Sequence, residues 1–363
     1  MLKYSAVRDN IVKAGIGQNP YGKVFIVSAY AGMTNHLLSD KKTGESGVFS
    51  LFKSEPGGVA WQFCLDNVLQ LMLDINNDLF SHTESLKRQA NEFILERIND
   101  VKQKMVTVGK LLESGFFDAD SAFPQCGEML AGIGEVHSAW NMAKLIEHDL
   151  GYNTAFVDLT GWHQNFTSRE ELIKDAFAPL DFNAVIPVVT GYSRSKQGML
   201  ERYGRGYTEM TLSDISVFLS AREAVIHKEF HLSSADPKLV GEDAATALGA
   251  TDYDIADQLS HYGMEAIHPD AARGIRQANI HIRVKNTFEP EHPGTLISFS
   301  GACSSEVEII ASRDDVVNIN CFDHAMLGAL PEAKNYIQDL ILDLGGDYVS
   351  STHSANSVGI VAR

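Results

Sequence analysis

Gly204-Arg205-Gly206-Tyr207-Thr208-Glu209 holds one cation between two glycines, with a hydroxyl three residues on and a carboxylate four residues on. An apolar series at Leu212, Ile215, Phe218 and Leu219 follows at helical spacing, which predicts a Gly-rich loop opening into a buried helix with Thr208 near its N-cap. Free backbone N–H groups at such a start, together with a fixed guanidinium, suit an anion such as a carboxylate or a phosphate. The same residues equally suit an ordinary tight turn before a helix, because short glycine motifs recur without function.

Four other places carry residue types that could join this loop. Ser28, Gly32 and Thr34 follow an apolar run that predicts a strand over 23–30, and ligands of open α/β sheets bind beyond the carboxyl ends of strands. A strand-to-helix turn with Thr34 as N-cap accounts for them too. Glu128 follows Gly127 where a helical run opens, at 125–130; it could accept hydrogen bonds from a substrate ammonium, or simply complement a helix dipole. His227, Glu229 and His231 alternate at the end of a predicted strand, the pattern of a shared face, but no fourth metal ligand accompanies them. Ser233-Ser234-Ala235-Asp236-Pro237-Lys238 reads as a turn whose lysine is able to meet a phosphate or to stay in solvent.

The elements that must position these residues follow from periodicity. Helical spacing marks residues 6–14, 61–114, 169–177, 254–261, 270–278 and 331–344. Residues 36–60 read as a loop, and 61–114 as a helical insertion whose stripes, Phe63, Val68, Leu69, Leu71 and Met72 among them, are packing surfaces. Short apolar runs predict strands at 153–158, 184–192, 224–230, 266–267 and 280–284. Beyond Ser298 the small polar run 300–305 reads as a linker, followed by a strand pair over 306–322, the helix and further strand-like residues: a small β-α-β unit.

Bulk properties exclude several classes. With 363 residues the chain can bury a large core, most naturally as two domains. A formal charge of −17 argues against a general nucleic-acid binder, though not against a nucleotide held by a local cation cluster. The four cysteines, Cys64, Cys126, Cys303 and Cys321, form no CxxC pair, so a disulfide framework or zinc site is not expected and a reducing cytoplasm fits. No apolar window suggests a signal core or a membrane span.

Taken together, the segments 27–35, 127–128, 189–192, 204–209, 234–238, 263–269, 283–288 and 293–297 occur in the order and spacing of one family, and the chain resembles the aspartate kinases of the amino-acid kinase superfamily. The resemblance covers most of residues 23–298. It implies a doubly wound, mostly parallel α/β/α sandwich for residues 1–298 and an incomplete ACT-like regulatory module for 304–363. The implied reaction is phosphoryl transfer from MgATP to the β-carboxylate of L-aspartate, giving 4-phospho-L-aspartate, the first step of aspartate-family amino-acid or ectoine biosynthesis. Carried over by position, Ser28, Thr34, Gly206, Thr208 and Glu209 line the acceptor pocket, Glu128 holds the α-ammonium, and Arg205, with Thr34, serves the reacting carboxylate end. His227, Lys228, Ser233, Ser234, Asp236 and Lys238 fall at positions that meet ATP, and Mg²⁺ accompanies the nucleotide. The resemblance also implies a cytoplasmic homodimer and an amino-acid effector at the ACT-like module, with neither nucleic acid nor membrane as partner.

Departures from the pattern qualify these expectations. The family's Lys-Phe-Gly-Gly-Thr-Ser strand and loop has no counterpart in Met1-Leu2-Lys3-Tyr4-Ser5-Ala6, which leads us to expect an N-terminally truncated chain. The usual Gly-Gly-Ser-Asp is Gly206-Tyr207-Thr208-Glu209, the Thr-Asp-Val-Asp-Gly-Val-Tyr stretch is residues 227–233, and a nucleotide-site lysine is Glu265. These last three are similar to the specialised ectoine-associated subclass. The alternatives left open are a non-catalytic amino-acid-binding regulatory partner, or an inactive fragment without its phosphate loop, and a sister kinase acting on another carboxylate.

Overall fold

The computed structural model describes residues 6–13, 19–40, 43–162, 168–204, 206–261, 264, 267–299, 309–312, 315–324, 328 and 330–363. Arg205 and Glu265 lie outside the described residues, as does the side chain of Lys238.

A short helical turn, Val7–Lys13, precedes β1 (Phe25–Val27). β1 is shorter than its apolar run: the chain leaves the sheet at Ser28 and turns through Gly32, whose φ of 82° suits glycine. Residues 33–145 are then largely helical. α1 (Met33–Leu37) and α2 (Val48–Ser54) occupy much of the predicted 36–60 loop; Val48 and Phe52 are buried, so apolar burial overrides the local Gly/Ser/Lys composition.

α3 (Ala60–Leu79) and α4 (Glu84–Glu113) form an antiparallel pair packed on α5 (Ala119–Leu145). The buried stripes are Trp61, Leu65, Val68 and Met72 on one helix and Ile94, Ile98, Val101 and Met105 on the other, at alternating steps of four and three. Phe63 and Leu71 belong to the opposite side and are exposed, against the expectation that they pack. Each buried Leu or Ile in these stripes contributes roughly 1.5–3 kcal/mol.

β2 (Thr154–Val157), α6 (Arg169–Phe177) and β3 (Ile186–Thr190) complete the first sheet. Its order is β1-β3-β2, wholly parallel, with Val27 opposite Thr190 and Val157 opposite Val189. All five residues of β3 are buried, as a central strand covered on both faces requires.

α7 (Met199–Tyr203) and α8 (Tyr207–Phe218) lead into the second sheet. Its strands are β4 (Glu223–Lys228), β5 (Ala250–Asp252), β6 (His281–Asn286) and β7 (Thr295–Ser298), in the order β4-β6-β7-β5. Pairs β4/β6 and β5/β7 are parallel and β6/β7 antiparallel. α8 packs on both β1 and β4 and so joins the two sheets. Helices α9 (Pro237–Val240), α10 (Tyr253–His261) and α11 (Pro269–Gln277) flank these strands. The strand predicted at 266–267 is not found at Ile267, a bend whose carbonyl accepts from Ser260 Oγ; Ala266 lies outside the described residues.

The last described segment carries β8 (Val317–Phe322), α12 (Leu330–Asp343), β9 (Tyr348–His353) and β10 (Ser357–Ala362). The sheet is antiparallel, ordered β8-β10-β9, with Ile341, Val358, Ile360 and Ala362 as its own small core. The predicted β-α-β unit is therefore β-α-β-β, and among the described residues of 306–322 there is one strand rather than a pair.

Candidate active site

The carboxyl ends of β1 and β3 meet the N-terminus of α8. Gly191 N–H donates to Val27 O at 2.9 Å, closing the two strand ends. A Cβ on Gly191 would stand 2.6 Å from Thr208 Oγ1 and 2.8 Å from Val27 O, so only glycine allows helix and strand to approach this closely. Thr208 Oγ1 reaches Ser28 Oγ at 3.4 Å. Gly206 is the N-cap of α8 and Thr208 is its second residue, near the cap as predicted; the N-cap itself is the glycine, and the Thr208 hydroxyl turns across the crevice.

Glu209, in the first turn of α8, suits the positive end of the helix dipole. Its Oε1 accepts from Lys228 Nζ at 3.2 Å and its Oε2 from the His268 N–H. One carboxylate thus ties α8 to the end of β4 and to the start of α11. Gly206 lies under His268, where a Cβ would come 2.5 Å from His268 Cδ2.

Thr34 is the second residue of α1, with Gly32 as N-cap, so the alternative in which Thr34 serves as the N-cap does not hold. Glu128 lies in the third turn of α5, because that helix begins at Ala119, six residues before the predicted opening at Gln125, capped by the Asp118 carboxylate on Asp120 N–H. The Glu128 carboxylate caps α7: Oε1 accepts from the N–H groups of Leu200 and Glu201 at 2.8 and 3.2 Å, and Oε2 from Met199 N–H at 2.9 Å. Tyr192 OH adds a fourth donor at 2.6 Å. A carboxylate offers about four lone-pair sites, and all are occupied here.

His227 and Lys228 end β4. Burial, with a smaller contribution from Lys285, pushes the His227 imidazole down to about 4, which keeps it neutral at pH 7. Its Nδ1 is buried with no hydrogen-bond partner. β4 stops at Lys228, so Glu229 and His231 lie beyond the strand and the alternating-face pattern does not continue. Among the described residues no group of three or more His, Cys, Asp or Glu side chains is placed to hold a metal.

The turn after β4 is closed mainly by its own neighbours. Ser233 Oγ donates to Ala235 O at 2.7 Å, Ser234 Oγ accepts from Thr246 N–H at 3.0 Å, and Asp236 O accepts from Leu239 N–H at 2.9 Å. Ile310 N–H also donates to Ser234 O at 2.8 Å. Ser28, Gly206, Thr208, Glu209 and Lys228 therefore form one connected group, with Glu128 beside it through Tyr192, while Ser233, Ser234 and Asp236 form another. Tyr192, Tyr207, His268 and Glu135 complete the first group and were missed from the sequence. Tyr192, Tyr207 and His268 lie in segments that carry the family pattern, and Glu135 had a signal of its own, a charge within the small and apolar run 130–136.

The amino acid kinase family model matches residues 5–286. The chain is 44% identical to the aspartate kinase Ask_Ect of Stutzerimonas stutzeri over 361 residues, 99% of this chain and 75% of that protein. It is 30% identical to the aspartokinase of Candida albicans over 249 residues, 62% of this chain and 44% of that one. Its fold is shared with E. coli aspartokinase III solved with aspartate and ADP, at a TM-score of 0.62 and 15% identity, over 98% of this chain and 76% of that one. The aspartate kinase of Clostridium acetobutylicum is similar in fold at 0.56 and 16%, over 99% and 74%. Strand ends that converge on a helix N-terminus and a family match across most of the chain lead to one conclusion: this chain belongs to the aspartate kinases of the amino acid kinase family.

Proposed function

We propose that the chain transfers the γ-phosphoryl group of ATP to the β-carboxylate of L-aspartate, with acceptor and nucleotide held at the two connected groups of residues described above. The observation that carries this reading is the meeting of Ser28 and Thr208 hydroxyls between the end of β1 and the start of α8. A carboxylate oxygen of aspartate attacks the γ-phosphorus, the bond to the β,γ-bridging oxygen breaks, and its electron pair leaves with ADP. No covalent enzyme intermediate is needed, and catalysis is positioning and charge stabilisation.

In this reading Arg205 pairs with a substrate carboxylate, where a guanidinium offers bidentate geometry. Ser28, Thr34, Gly206 and Thr208 line the acceptor pocket. Glu209 fixes Lys228 at its edge, and Lys228 with His227 and the 233–238 turn faces the nucleotide. Glu128 meets the acceptor ammonium only if one of its four present donors yields. Mg²⁺ arrives bound to the phosphates of ATP, as is usual where few protein carboxylates converge.

E. coli aspartokinase III has been solved with lysine and aspartate; for this chain we extend the reading to an amino-acid effector at the unit beyond residue 304 and to a homodimer, with residues 1–298 as the catalytic unit. ADP release measured with and without aspartate tests the activity. Arg205→Ala is expected to raise KM for aspartate roughly 10²-fold, the scale of a severed ion pair, and KM for ATP less than about threefold. Equal losses for both substrates contradict the assignment of the loop.

A further inference from the structure

Glu128 and Glu135 stand two turns apart on α5 and face the same side of the crevice. Glu128 holds Tyr192 by its hydroxyl. Tyr192 meets the ring of Tyr207 edge-on, centroids 5.6 Å apart. Tyr207, the first residue of α8, in turn favours the ionised form of Glu135, and the Ala29 N–H donates to Glu135 Oε1 at 3.4 Å. The glycines between the two glutamates let the partners in: a Cβ on Gly132 would stand 3.2 Å from the Tyr192 ring, and one on Gly134 would stand 2.7 Å from Ala29 Cβ.

Glu135 is 1% exposed, and its Oε2 is buried with no hydrogen-bond partner. A carboxylate so placed costs stability, because an unpaired buried oxygen keeps its desolvation penalty. α5 already has an apolar face and has no structural need for an acid there. Besides its own backbone N–H, the groups that favour the ionised form of Glu135 come from the segments that meet at the Ser28–Thr208 contact: Ala29 follows Ser28, and Tyr207 lies between Gly206 and Thr208.

We propose that Glu135 is a positioning residue: its carboxylate ties the end of β1 to the first residue of α8, and so sets the affinity for aspartate. The proposal rests on the reading that the 204–208 loop holds the acceptor. Tyr207 is the titratable group facing Glu135 from α8, with Tyr192 one ring further on from the end of β3. The turn after β1 presents the Ala29 backbone and α1 presents apolar groups near Gly134. No charged neighbour contributes to the shift of Glu135, which burial raises to about 7 against the smaller opposing effects of its own backbone N–H, of Tyr207 and of the Ala29 N–H.

The sign of the stability effect follows. The folded protein holds this proton between the ordinary carboxylate range and about 7. The stability it confers is therefore complete below pH 4.5 and is lost as pH rises through about 7. The ionised form, which Tyr207 and the Ala29 N–H favour, is the one that orders Tyr207, so aspartate affinity rises over the same interval in which stability falls.

The experiment is a comparison of the parent chain, Glu135→Gln and Tyr207→Phe by steady-state kinetics and thermal unfolding from pH 5.5 to 8.5. Glu135→Gln is expected to raise KM for aspartate about tenfold with KM for ATP unchanged, and to abolish both the rise in aspartate affinity near pH 7 and the matching loss of stability. Tyr207→Phe keeps the ring contact and is expected to raise KM for aspartate to a similar degree, with the double variant no worse than either single one. An unchanged aspartate KM and pH profile in Glu135→Gln overturns the proposal, whatever happens to its melting temperature. If that variant does not fold, an unchanged aspartate KM in Tyr207→Phe overturns it instead. A parent chain that neither binds nor phosphorylates aspartate defeats the functional reading first, a result distinct from a competent parent whose variants behave like it.

Discussion

At the end proposed to hold the acceptor, Thr208 bonds to a residue 180 positions away and Glu128 to residues 64 to 73 positions away. In the 233–238 turn, proposed to face the nucleotide, Ser233 and Asp236 close on neighbours two and three positions on, and Ser234 on Thr246, with the Ile310 N–H as a distant donor. The first arrangement exists only once β1, β3, α5 and α8 are packed; the second forms largely within its own turn. Precision at the acceptor end is thus linked to the stability of the core, whereas the nucleotide end can be altered at small cost to the fold.

Three substitutions test that contrast, in descending order of effect. Gly191→Ala forces apart Thr208 and the backbone of Val27, neither of which is the end of a flexible chain. A displacement near 1 Å costs about 10²-fold in catalysis, and kcat/KM for aspartate should fall by that much, together with the melting temperature. A variant with parental kinetics would show that the strand ends and α8 need not approach so closely.

Glu128→Gln leaves the carboxamide with one acceptor oxygen and an NH₂ group facing donors. It should destabilise the chain by about 1–3 kcal/mol in urea unfolding and raise KM for aspartate, because α7 carries the loop that follows it. Loss of aspartate affinity without loss of stability would sharpen the comparison differently, by making Glu128 a direct ligand rather than a cap. Ser234→Ala removes one neutral hydrogen bond and should cost only about 1 kcal/mol, with a few-fold rise in KM for ATP and none for aspartate. A large effect on aspartate would mean that the two ends are not separable.

The strands and helices legible in the sequence are those whose apolar pattern is unambiguous. α6 matches its predicted bounds at Arg169–Phe177, and β3 lies within the apolar run predicted for it. Residues 48–54 were misread because a short amphipathic turn flanked by glycines has the composition of a loop, and only the burial of Val48 and Phe52 makes it a helix. The start of α5 was placed at Gln125, whereas the Asp118 cap begins the helix at Ala119 and Pro124 is accommodated inside. Thr208 was expected near an N-cap and stands there, and the alternative of Thr34 as a cap fails, because glycines take both N-cap positions.

What the sequence determined by itself is which residues with chemical potential stand at strand ends, and in what order. Ser28, Thr190-Gly191 and the 204–209 loop follow apolar runs whose burial their composition requires, and the spacing of these segments carries the family. What only the tertiary structure decided is how each polar atom is used: that Thr208 reaches across to Ser28, that Glu128 spends all its lone pairs on Tyr192 and α7, and that Glu135 is buried between Ala29 and Tyr207. The reason is physical. Periodicity reports which face of a segment is apolar, but desolvation and hydrogen bonding depend on groups brought together from distant parts of the chain, and these set the charge and geometry of a site.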